Sequence, residues 1–303
     1  MSFLSPGIAR TAALLLAIVG GALLPQLHEF GRAIPWLVAA MLFLVFLQTR
    51  LSREALHRSH GWLLLANLVM GFVGWGVGWV VGGRDVALAA FFAGITPTAT
   101  AAPVVMSFLR GRVDYVVAGF MLSNLVITAL LPLLLPVVLG RVTPEAFGHV
   151  LASVAWLMFV PLLVAGLVRR VHPAAKAWPA KLRNVSFGMW VTALLLITSN
   201  ASHFLRQQTD LPAAVLPKII VVSLLVCAVN FALGRLIGGR EFPREASQTL
   251  GQKNTSYTIY LALTYASPLV ALGPTFYVLW HNLWNSWQLH RVRAEPSDPS
   301  RSP

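Results

Sequence analysis

The sequence predicts an all-α integral membrane protein: about ten transmembrane helices in two inverted five-helix repeats, with the fourth and ninth helices broken. Three observations carry this. The 303-residue chain is 57% hydrophobic and 11% charged, with mean hydropathy +0.71. Soluble domains are about 45–50% apolar and about 25% charged, so this charge is too little to cover a water-soluble globule. Second, the apolar residues form long unbroken runs, such as 63–81 and 115–138. Spanning helices need about 20 such residues, whereas barrel strands alternate over about ten. Third, the basic residues sort by loop, as described below.

The expected helices are 11–25, 35–49, 61–82, 86–109 (broken), 115–139, 146–169, 185–205, 212–237, 243–266 (broken) and 268–289. The first follows Arg10 and has the length of a signal-peptide core. No A-x-A site follows it and the next run begins almost at once, so it reads as a retained helix. The third carries Gly71, Gly74, Gly76 and Gly78, small residues that allow close helix approach. The chain divides near Gly140 into repeats 1–140 and 141–289, and the polar segment 290–303 reads as a disordered cytoplasmic tail. Trp36, Trp62, Trp178 and Trp284 fall near helix ends, where aromatic belts form.

Alternating helices from a cytoplasmic N-terminus put 17 of the 23 Lys and Arg inside. Five lie outside: Arg32, Arg84, Arg141, Arg206 and Lys218. That is the positive-inside pattern of a multi-pass protein of the cell inner membrane with both termini cytoplasmic. The net charge of +13 is thereby a topology signal. A nucleic-acid binder would gather its charge on one polar face, so the expected partners are the lipid bilayer and a small solute. The one cysteine, Cys227, excludes a disulfide scaffold.

The fourth segment holds Pro97 and Pro103 either side of a threonine-rich centre, and the ninth holds Gly251-Gln252-Lys253-Asn254 in mid-run. Proline removes a backbone donor and clashes with the preceding turn. The freed polar groups cannot face lipid. Paired interruptions at corresponding places in two halves point to a transporter site near the bilayer midplane. Candidate site groups are Thr96, Thr98 and Thr100 from the first break and Thr249, Gln252, Lys253, Asn254, Thr255 and Ser256 from the second. Half-helix N-termini there suit an organic anion.

These residues resemble the bile acid:sodium symporter superfamily (BASS, SBF-like). Gly251-Gln252-Lys253-Asn254 is similar to the family's G-x-Q-N, Trp280-His281-Asn282 reproduces its W-H-N, and 97–109 is similar to its P-G-G-T-A-S-N-V-M-T segment. The resemblance implies that the broken helices cross beside sodium and substrate sites. It also implies that helices three to five and eight to ten move against one, two, six and seven. Ser123, Asn124 and Thr128 lie near the family's further sodium oxygens, and Asn67 near another polar position.

The departures bear on the coupling ion. Ala102 and Pro103 stand where the family has a sodium-contacting Ser-Asn pair, Thr249 where it has a glutamate and Lys253 where it has a glutamine. Two positive charges about 4 Å apart repel by about 4 kcal/mol at an effective dielectric of about 20. Sodium is therefore not expected beside Lys253. The expectation is that its ammonium takes the ion's place as a tethered cation, with no cofactor required. Sodium symport through a shifted site and proton-linked antiport are the alternatives. His281 invites a proton-relay reading, but the family keeps this histidine with sodium coupling, which favours a packing role; Asn282 belongs to the same motif. No Asp or Glu lies deep in an expected span and no P-loop appears, so an intramembrane enzyme is not expected.

Overall fold

A computed structural model of the protein describes residues 6–48, 55–99, 101–207 and 214–294. Among these the chain is helical, with no strand beyond one isolated bridge. The helices are α1 (Pro6–Leu23), α2 (Ile34–Gln48), α3 (Arg58–Ile95), α4 (Ala102–Phe108), α5 (Val113–Val138) and α6 (Pro144–Val171). They continue as α7 (Trp178–Lys181), α8 (Arg183–Gln207), α9 (Val215–Gly238), α10 (Pro243–Gly251), α11 (Thr255–Tyr265) and α12 (Pro268–Ala294). Six helical stretches are long and apolar enough to cross a membrane: Pro25–Leu47, Arg58–Ile95, Val113–Val138, Pro144–Val171, Asn184–Gln207 and Val215–Gly238. The protein is an all-α membrane protein. Two boundaries differ from expectation by five residues: α1 starts at Pro6, and α12 runs on to Ala294, into what reads as tail. Nothing in 268–294 stops a helix, because Pro268 opens it and its one interior proline, Pro274, lies in the second turn.

α3 merges the expected third helix with the first half of the fourth. Gly83, at φ +73°, reverses the chain without a loop, a conformation that costs glycine little and other residues much. The arms 58–82 and 84–95 then lie back to back. Gly78 packs on the Ala87 backbone, where a Cβ would come within 2.6 Å of Cα, and Gly94 packs on the Met70 carbonyl. Gly71 and Gly74 belong to the same seam, but a Cβ on Gly76 would meet nothing within 4 Å. The expected glycine face thus holds at three positions and fails at the fourth, which points away from the second arm. The second arm is apolar all round, and 86–95 are buried without exception, as expected of a helix enclosed by others.

The same construction recurs later. α9 ends in Gly239 at φ +59°, and α10 folds back along it with Gly234 against the Ala246 carbonyl. Glu245, in the first turn of α10, accepts from the Arg112 amide at the start of α5 at 3.0 Å. Its carboxylate serves two helix N-termini, where negative charge is favourable.

The helices pack in two groups. α3, α9, α10 and α12 pack on one another and carry α4, α5 and α11, while α1 packs on α8 and α2 on α6 and α8. The groups meet where α12 lies on α1 and α8, α5 on α6, and α11 on α2 and α8.

The glycine seam gives a paired test. Gly78→Ala is expected to destabilise the protein by about 1–3 kcal/mol, because the obstructing atoms are backbone. Gly76→Ala is expected to be neutral or stabilising by up to about 1 kcal/mol. Thermal unfolding of the two variants in one detergent reads the difference directly.

Candidate functional site

The site forms where the two interruptions meet. Pro97 disfavours helix at the residue before it, and Thr96 is extended at ψ 130°. In the second break Gln252 is extended at ψ 112°. Gly251 precedes it because the Phe231 ring lies so close that a Cβ would come within 2.3 Å. The two extended stretches pair as an antiparallel bridge between Thr98 and Lys253. The Ala99 amide donates to the Gln252 carbonyl and the Asn254 amide to the Pro97 carbonyl, both at 2.8 Å. Each break thus satisfies backbone groups that the other helix leaves free.

Side chains complete the crossing. Thr98 Oγ1 donates to the Thr249 carbonyl at 2.6 Å, its amide donates to Ser123 Oγ at 3.1 Å, and its carbonyl accepts from Asn124 Nδ2 at 2.9 Å. Thr96 Oγ1 donates to the Phe92 carbonyl and pairs with Thr258 Oγ1 at 2.7 Å. Gln252 Oε1 accepts from Asn285, whose own oxygen accepts from Gln248, each at 3.0 Å. The Tyr277 hydroxyl donates to the Gly251 carbonyl at 2.7 Å.

Lys253 is 2% exposed. Its Nζ donates to Asn67 Oδ1 and to the Gly94 carbonyl, the latter at 3.2 Å, while Asn67 Nδ2 donates to the Ile95 carbonyl at 3.0 Å. These acceptors are at the C-terminal end of the 84–95 arm, where the last carbonyls lack helical partners and the helix dipole is negative. Together Thr96, Lys253 and Asn67 cap three of those carbonyls. A lysine from the second half therefore closes a helix end in the first.

Asn254 is the N-cap position of α11 but does not cap it with its side chain. Its Oδ1 accepts from Ser256 Oγ at 2.9 Å, and its Nδ2 is buried with no partner. A small cavity with room for about one water molecule lies beside Asn67, Thr98, Ser123 and Thr249, and reaches His60. His60 does not extend the polar path: one ring nitrogen bonds the Tyr115 carbonyl and the other accepts from the His57 amide.

The crossing thus gathers Thr96, Thr98, Thr249, Gln252, Lys253, Asn254 and Asn124, with Thr255 buried in the first turn of α11. Thr128 is buried on α5 and faces Tyr257. His281 is buried on α12, its ring edge-on to Tyr277 and its Nδ1 unpartnered. Asn282 bonds back to the Val278 carbonyl of its own helix. Thr100 lies outside the described residues. Asn285, Gln248, Tyr277 and Thr258 were not expected; the i, i+4 pair Gln248 and Gln252 in an otherwise buried helix was the available signal.

The donor set does not fit the sodium ion that the resemblance implies. Where the resemblance would place an oxygen ligand, the chain carries Lys253, whose Nζ is a donor already bonded to Asn67 Oδ1. Among the described residues no three His, Cys, Asp or Glu side chains converge on a metal position. No family model and no curated protein matches the chain.

Lys253 and Asn67 should be energetically coupled. Lys253→Met leaves Asn67 Oδ1 and the Gly94 carbonyl without that donor, and Asn67→Ala leaves the Ile95 carbonyl without its donor and Nζ short of an acceptor, at about 1–3 kcal/mol per group. The double variant is expected to lose clearly less than the sum of the two, which a double-mutant cycle on thermal unfolding measures.

Proposed function

We propose that the protein is a secondary active transporter of a small organic anion, working by alternating access without sodium, with Lys253 in the place of the coupling cation. The observation that carries the reading is the pairing of two broken helices from opposite halves of the chain around a buried lysine. Broken helices at a repeat interface are how membrane transporters expose backbone dipoles to a solute. The proposal includes ten spans in two inverted five-helix repeats. Its support is the repeated order of glycine reversal, short arm, break and half-helix, at Gly83 and again at Gly239. It also includes both termini on the cytoplasmic side of the inner membrane, supported by the loop charges.

The anion's docking point in this reading is the N-terminus of α11. First-turn amides of a helix have no intrahelical acceptor and attract negative charge. Asn254 Nδ2, 93% buried with its residue and without a partner, is a further donor at that end. All of these groups donate, so the complementary ligand is an acceptor such as a carboxylate.

Uptake of radiolabelled organic acids into proteoliposomes, under sodium, proton or no ion gradient, tests the proposal. Wild-type uptake is expected to be independent of sodium, and Lys253→Gln to fall by tenfold or more. Strict sodium dependence of the wild type overturns the tethered-cation reading in favour of symport through a shifted site. Uptake driven by an opposing proton gradient selects proton-linked antiport.

A further inference from the structure

The crossing is not enclosed alike on its two sides. α11 packs on α2 and α8, and its Tyr257, Ile259, Leu261 and Ala262 belong to one buried apolar cluster with Val38, Leu42 and Leu47 of α2. α4 packs on α5 and α10 instead, and α10 on α9, α5, α3 and α4. Val104 and Phe108 of α4 are left 40% and 52% exposed. The two helix groups therefore touch beside α11, whereas α4 packs on helices of its own group.

The seal has a polar fastening. Tyr265, the last residue of α11, donates its hydroxyl to the His149 carbonyl of α6 at 2.8 Å and lies 2.5 Å from Ser153 Oγ. His149 and Ser153 are one turn apart on α6, so a single hydroxyl grips a full turn of a helix in the other group. The remaining side-chain bonds described at the crossing join helices of the same group.

We infer that Tyr265 is a latch: its bond to α6 holds the two helix groups together at the membrane face that carries Arg84 and Arg141. This rests on the transport reading, because a latch matters only if the two groups separate. Alternating access requires the bond to break once per cycle, as the groups separate at the α11 end. Removing the hydroxyl alone, by Tyr265→Phe, keeps the ring and its packing and shifts the balance of states. One net hydrogen bond in a two-state equilibrium corresponds to about a three- to tenfold change.

The test uses Leu261→Cys, buried in the seal, on a Cys227→Ser background, with a membrane-impermeant maleimide in oriented vesicles. Labelling is expected to rise about three- to tenfold with Tyr265→Phe and with Ser153→Ala. It is expected to stay unchanged with His149→Ala, since that contact uses the backbone carbonyl. Hydrogen exchange of 255–265 in Tyr265→Phe without the added cysteine is the second readout, and faster exchange is expected there too. Wild-type labelling and exchange in both Tyr265→Phe and Ser153→Ala overturn the latch and leave the uptake result untouched. Failure of uptake in the wild type removes the transport reading independently of these rates.

Discussion

Everything at the centre of this molecule follows from one constraint: a peptide group inside a bilayer has no water to bond, so every amide and carbonyl released from a helix needs a partner in the protein. A single break would leave such groups stranded. Two breaks, crossing in antiparallel register, bond each other through the Ala99 and Asn254 amides. The groups still free at the helix ends take side chains: Asn67, Thr96 and Lys253 on one arm, Thr98 and Tyr277 on the other. The arrangement is mutual, so neither broken helix is stable in its form without the other.

Lys253 is held by hydrogen bonds to an amide oxygen and a helix-end carbonyl, and among the described residues no carboxylate bonds it. Glu245, the buried carboxylate among those residues, sits instead at two helix N-termini. Cation at a C-terminus and anion at N-termini are the favourable placements for the helix dipole. Charges buried among apolar helices thus find complementary backbone ends, without an ion pair being assembled.

Much of this architecture is legible in the sequence, for physical reasons. Pro97, Pro103 and Gly251 alter backbone geometry locally, so their effect can be read where they stand. Lys253 stands out because an isolated charge in a long apolar run has few acceptable places. What could not be read depends on facing. Lipid is as apolar as leucine, so burial in protein and exposure to lipid select the same residues. Hence 86–95 did not declare itself fully enclosed, and Gly76 could not be told from its three neighbours in the seam. The partners of Lys253 were hidden for another reason: Asn67 is 186 positions away, and an asparagine in a membrane helix has many ways to be satisfied.

The buried arm after Gly83 has a consequence for how the protein is made. Its twelve residues cover about 18 Å at 1.5 Å each, well short of a hydrocarbon core of about 30 Å. On leaving the ribosome this arm can neither span the bilayer nor complete its own end, because the lysine that caps it has yet to be translated. The first half must therefore be held, partly assembled, until residues beyond 253 arrive. Insertion and folding are coupled across most of the chain, and a truncation after α9 would strand an unfinished bundle in the membrane, prey to quality-control proteolysis.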